Sequence, residues 1–95
     1  MKKYLLLHYG FQHPTPEIME AWGKWFESIS DIMVDQGGFN AGREISHEGT
    51  RELLWGMGSI TGYNVIKAEN LDEAEKIAKS NPFMESIRVY EIRNE

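Results

Sequence analysis

The sequence predicts an α+β domain in which two helices cover one face of a four-stranded antiparallel sheet. Three observations predict it. Residues 15–38 carry a long apolar stripe at helical spacing, and residues 70–80 carry a shorter one. Residues 3–9, 60–68 and 86–93 instead alternate with the two-residue period of strands, with a further strand expected within residues 39–46. The resulting order is β-α-β-β-α-β, whose two β-α-β crossovers interleave into a ferredoxin-like sandwich with the first and third strands central. A chain of 95 residues holds one such domain.

The first strand sends Leu5, Leu7 and Tyr9 to one side and Tyr4, Leu6 and His8 to the other. Both sides are largely apolar, as in a strand covered on both faces. A loop over residues 10–15 leads into the long helix. There Ile18, Trp22, Trp25, Phe26, Ile29, Ile32 and Met33 fall on one stripe, while Glu17, Glu20, Lys24, Glu27, Asp31 and Asp35 fall outside it. Thr15 is placed to cap, Pro16 suits the first helical position, and Gly37-Gly38 supplies a stop. The second strand centres on Arg43-Glu44-Ile45, with a turn at Glu48-Gly49. Residues 51–58 have no regular reading, because Gly56 and Gly58 interrupt their apolar residues. The third strand has Tyr63, Val65 and Ile66 at its centre. Asn70 caps the second helix with Glu73 three residues on, and Asn81-Pro82 ends it. The fourth strand places Ile87 and Val89 on one side and Arg88, Tyr90 and Ile92 on the other.

Composition narrows the function. With 41% hydrophobic and 26% charged residues the chain is globular. No cysteine is present, so disulfides, thiolate nucleophiles and cysteine-bound zinc are excluded. A net charge of −5, with no basic cluster beyond Lys2-Lys3, argues against nucleic acid and anionic membranes as partners. The apolar run after Lys2-Lys3 stops at His8, too short for a secretory signal, so the sequence predicts a soluble cytoplasmic protein. A sandwich of this order covers only one sheet face within its own chain. The apolar residues on the other face predict a homodimer formed through that open face.

Lys3-Tyr4-Leu5-Leu6-Leu7-His8-Tyr9-Gly10, the run from Gly62 to Ala74 and Asn81-Pro82-Phe83 resemble the corresponding segments of the YCII-related (YciI-like, DGPF-containing) proteins. The resemblance implies the dimeric α+β barrel superfamily, in which two ferredoxin-like sheets pack face to face and a pocket lies between helices and sheet. Its members include monooxygenases and lactone isomerases. Two departures stand out. Gly56-Met57-Gly58-Ser59 occupies the place of the Asp-Gly-Pro-Phe motif, and Asn81 stands where the family commonly has aspartate. The first helix also lacks the histidine that some members carry there.

Among the candidate site residues, His8 and His13 are the proton-transfer candidates, since an imidazole titrates near neutral pH. His47 reads as a turn residue, and three scattered histidines make no metal-ligand pattern. Trp22 and Phe26 are candidates for the wall of a substrate pocket; Tyr63 and Arg43 are candidates to steady negative charge on a substrate oxygen. Ser59 has no base beside it. Gly56, Gly58 and Gly62 lack the phosphate-binding spacing and the following helix. The leading reading is a homodimer binding a small molecule, with cofactor-free acid–base chemistry on an apolar, oxygen-bearing substrate if it is catalytic. Asn81 then serves structure, since an amide takes up no proton near neutral pH. The alternatives are a non-catalytic binding dimer and, by superfamily analogy alone, a haem- or metal-using monooxygenase.

Overall fold

A computed structural model of the chain describes residues 1–10, 15–56, 58–83 and 85–93. The elements are β1 (Lys2–Tyr9), α1 (Pro16–Ser28), β2 (Met33–Gly38), β3 (Gly42–Ser46), β4 (Gly49–Leu53), β5 (Ile60–Ala68), α2 (Leu71–Lys79) and β6 (Ser86–Glu91). Strands β2, β5, β1 and β6, in that spatial order, form one antiparallel sheet; β3 and β4 form a separate two-stranded ribbon. The architecture is the ferredoxin-like α+β sandwich, with β1 and β5 central and a hairpin inserted between β2 and β5.

Alternation along the central strands divides the sheet into two unlike faces. Tyr4, Leu6 and His8 of β1 and Gly62, Asn64, Ile66 and Ala68 of β5 are buried. They face the helices, whose Trp25, Ile29, Ala74 and Ala78 complete the core. The intervening Leu5, Leu7 and Tyr9 point to the open face and are only half-buried. Trp25 ties the two helices together: its indole Nε1 donates to Ser80 Oγ at 3.0 Å, just beyond the end of α2.

The long helix expected over residues 15–38 is two elements. Thr15 caps α1 as expected, its hydroxyl accepting from the Ile18 N–H at 3.2 Å. The helix closes at Ser28, however. The Ser28 and Ser30 hydroxyls donate back to the carbonyls of Trp25 at 2.6 Å and Glu27 at 3.0 Å, adding side-chain donors at the helix end. Ile32 and Met33 both donate to the Ile29 carbonyl at 3.0 Å in a tight turn, and the chain then enters β2. A turn followed by a strand thus reproduces the three- and four-residue spacings of a helix.

Gly37-Gly38 is consequently part of a strand. The Tyr63 ring lies over Gly37, where a Cβ would come within 2.6 Å of Cε1. The second sheet strand is 33–38; the strand expected within residues 39–46 forms at 42–46 but pairs with 49–53 instead, so that residues 51–53, which had no regular reading, are strand. The turn between them uses Gly49 at φ 126°, a conformation that a residue with a Cβ rarely adopts. Downstream the agreement is close. Asn70 Oδ1 accepts from the Glu73 N–H at 2.9 Å, and Glu73 Oε1 accepts from the Glu69 N–H at 3.2 Å.

Candidate functional site

A cavity of about 490 Å³ opens between α1 and the β2–β5 edge of the sheet, with Trp22 and Phe26 on the helix side. It exists because of what is missing beneath those rings. Gly38 and Gly62 are paired in register on the helix-facing side, so neither strand raises a side chain there. Gly62 is held to glycine by backbone, since a Cβ would lie 2.9 Å from the Gly37 carbonyl oxygen. A Cβ on Gly38 would meet nothing within 4 Å, so this position stays open without a steric demand for glycine.

His8 forms the inner end of the cavity. Only 6% of the residue is exposed, and its ring meets Trp22 and Trp25 edge-on, with centroids 5.2 and 6.1 Å away. Its Nε2 donates to Oδ1 of Asn64, the neighbouring helix-facing residue of β5, which is 1% exposed. An amide oxygen only accepts, so the pair fixes the proton on Nε2 and leaves Nδ1 as a lone-pair acceptor. The Asn64 amide is oriented in turn by donation to the Met33 sulfur at 3.5 Å. Nδ1 is buried and has no hydrogen-bond partner among the described residues. Burial lowers the His8 pKa below its ordinary value and outweighs the opposing effect of the Asn64 bond, so the imidazole is neutral at pH 7.

The structure brings His8, Trp22 and Phe26 to one cavity and separates the other candidates from it. Tyr63 borders the cavity through its strand, but its hydroxyl donates to Asp35 Oδ2 at 2.9 Å and its ring stacks on Phe39. In register with Leu7 and Gly37, its side chain belongs to the open face. The hydrogen bond to Asp35 raises the phenol pKa. Tyr63 therefore does not offer its hydroxyl to a ligand beside His8. Arg43 is exposed on the hairpin and does not line the cavity, a consequence of residues 42–46 leaving the main sheet. His13 lies outside the described residues. Ser59 organises the chain before β5: its hydroxyl donates to the Leu54 carbonyl and accepts from the Gly56 N–H, both at 2.9 Å.

Asn64, Gln36 and Gly38 belong to the site and were not among the sequence candidates. Asn64 carried a signal, being a polar side chain among Ile66 and Ala68 on the helix-facing side of a central strand. Gln36 and Gly38 were hidden by the helical reading of 15–38. Asn81, 4% exposed, has both side-chain polar atoms buried without a partner among the described residues, while its backbone continues the turn after α2. No group of three His, Asp or Glu residues among the described residues is arranged to hold a metal ion.

The strand order, with its two-helix layer and one bare face, is that of a barrel subunit. The chain has the subunit fold of the dimeric α+β barrels. It is similar to the 5-chloro-2-hydroxyhydroquinone dehydrochlorinase of Burkholderia phenoliruptrix, solved in complex with 2,5-dihydroxybenzoquinone. The TM-score is 0.59 with 11% sequence identity, over 98% of this chain and 95% of that one. No family model and no curated protein matches the sequence. No helix among the described residues is long and apolar enough to cross a membrane.

Proposed function

We propose that this chain binds a flat, oxygen-bearing small molecule in the cavity between α1 and the sheet, and that His8 exchanges a proton with it. The observation that carries the reading is the His8–Asn64 pair at the end of a cavity floored by glycine. One imidazole nitrogen is committed to a fixed acceptor. The other is an unprotonated base whose surroundings keep the ring neutral. Aromatic side chains facing a side-chain-free floor suit a ring-shaped ligand. The quinone held by the dehydrochlorinase of the same fold supports that choice of ligand class. The segments 62–74 and 81–83 support a place among the YCII-related proteins. Asn81 takes no part in the proton transfer, and a second copy of the chain covers the open sheet face.

The burial of Nδ1 favours a second reading, a binding protein without catalysis, because a ligand reaches that nitrogen only if the side chains around the ring move. One experiment separates the two. Thermal shift with 2,5-dihydroxybenzoquinone as probe is measured on the protein and on Gly38→Leu and His8→Gln, alongside consumption of hydroxylated and chlorinated hydroquinones. The proposal expects stabilisation by the probe, its loss in Gly38→Leu, and turnover that disappears in His8→Gln. Stabilisation without turnover supports the binding protein. A probe response unchanged in Gly38→Leu overturns the cavity assignment.

A further inference from the structure

Strands β3 and β4 pair only with each other among the described residues and stand apart from the main sheet's ladder. A two-stranded ribbon standing alone in water is marginally stable, yet this one and its flanks expose Ile45, Leu53 and Leu54 at 81%, 47% and 85%. Its two sides differ. In register, Gly42, Glu44, Arg51 and Leu53 share one side, while Arg43, Ile45, Thr50 and Glu52 share the other. The first side faces Tyr9, Phe39 and Ile60 across a cavity of about 680 Å³. Tyr9 is the last open-face residue of β1, so this cavity continues the open face of the sheet beyond its end. The only charges the ribbon turns toward it, Glu44 and Arg51, neutralise each other through hydrogen bonds of 3.2 and 3.0 Å.

We infer that the hairpin is a clasp that closes on a second copy of this chain. The inference rests on the reading that a second copy covers the open face. Area is the first argument. Four strands about 4.8 Å apart, with about seven residues each at about 3.4 Å, give a footprint of roughly 450 Å². This is a projected footprint, and against the roughly 800 Å² of accessible surface that each partner contributes to a standard stable interface it leaves room for added contacts. The hairpin's inner side and the recess beneath it extend the same surface.

Self-complementarity is the second argument. A twofold interface needs projection and recess on one surface, and here Leu54 projects at the rim of the 680 Å³ cavity. Charge is the third. Two copies carrying −5 each can meet only where the contact is not acidic. The inner side of the clasp is a neutral pair, and the adjoining open face carries Arg88, stacked 4.7 Å over the Tyr9 ring.

Sedimentation equilibrium of the full chain tests the clasp through Leu53→Glu, Leu54→Glu, Ile45→Glu and Leu7→Glu, with far-UV circular dichroism as the check on folding. Leu54 is exposed enough that its replacement leaves the subunit folded. The clasp expects Leu53→Glu and Leu54→Glu each to raise the dimer dissociation constant by at least about thirtyfold, the scale of an interface hot spot. Ile45→Glu, on the outer side, changes it by less than about twofold. If both leucine variants dimerise like the parent while Leu7→Glu dissociates, the clasp is wrong and the sheet-face dimer stands. Equal weakening by Ile45→Glu overturns the choice of inner side. A parent chain that is monomeric at micromolar concentration overturns the sheet-face reading itself.

Discussion

The four-stranded sheet and the two-stranded hairpin use the same backbone pairing to opposite effect. Over residues 4–8 of β1 and 62–68 of β5 every second residue is buried beneath α1 and α2, and the fully buried Tyr4, Leu6 and Ile66 lie there. On β3 and β4 no residue is buried. The difference does not come from the ladders: the register shifts, at His8/Tyr9 and Met33/Asp35, lie in the well-buried main sheet, while the exposed hairpin is paired without one. It comes from the layer above: a strand is stabilised when its apolar side loses contact with water, at roughly 25 cal/mol per Å², and only the main sheet has helices to remove that water. Backbone hydrogen bonds alone add little net stability, because water competes for the same groups.

Trp25 and Ile45 give the widest contrast. Trp25→Ala should cost about 3–5 kcal/mol in urea unfolding, the range for emptying a large aromatic site. It also leaves the Ser80 hydroxyl without its indole donor. Ile45→Ala on the hairpin should cost under about 0.5 kcal/mol in the dissociated subunit, as should Glu27→Ala on the solvent side of α1. Comparable losses at 25 and 45 would mean that the hairpin belongs to the cooperative core.

A smaller effect is expected at Asn81. Replacement by aspartate puts a carboxyl among groups that offer no partner, at the negative end of α2. Asn81→Asp should destabilise by about 1–3 kcal/mol at pH 7 and recover part of this as the carboxyl is protonated in acid. No loss at pH 7 would show that the site accommodates the family's usual charge.

The smallest effect is a pH dependence. His8 has a folded pKa below its ordinary 6.5, so the unfolded chain takes up the proton more readily. Its contribution is therefore complete above about pH 6.5 and is lost as pH falls through the folded value. The stability of His8→Gln should decline less between pH 7 and pH 5 than that of the parent. Parallel declines would mean that the imidazole is not desolvated.

Much of this was legible in the chain. The strand at 60–68, the cap at Asn70 and the two-sided apolar character of β1 were written locally, because alternation and capping depend on neighbours in sequence. That Trp22 and Phe26, which line the cavity, share one face of α1 was legible from their helical spacing. The first helix shows the limit: the spacing of Ile29, Ile32 and Met33 fits a helix as well as a turn, and in the structure Ile32 and Met33 turn back on the Ile29 carbonyl while Met33 pairs with Ile66 of β5.

What the sequence by itself determined is the position of β1, β5 and β6, the starts of the two helices, and which residues are apolar on which side of those three strands. Tertiary structure decided the rest of the site. Gly37 and Gly62 are required by a ring and a carbonyl that arrive from neighbouring strands, and His8 meets Asn64 across 56 positions of chain. Tyr63 and Asn64, adjacent in sequence, go to opposite faces with different partners. Such contacts are set by strand register and by the layer that covers each face, neither of which any short stretch of sequence encodes.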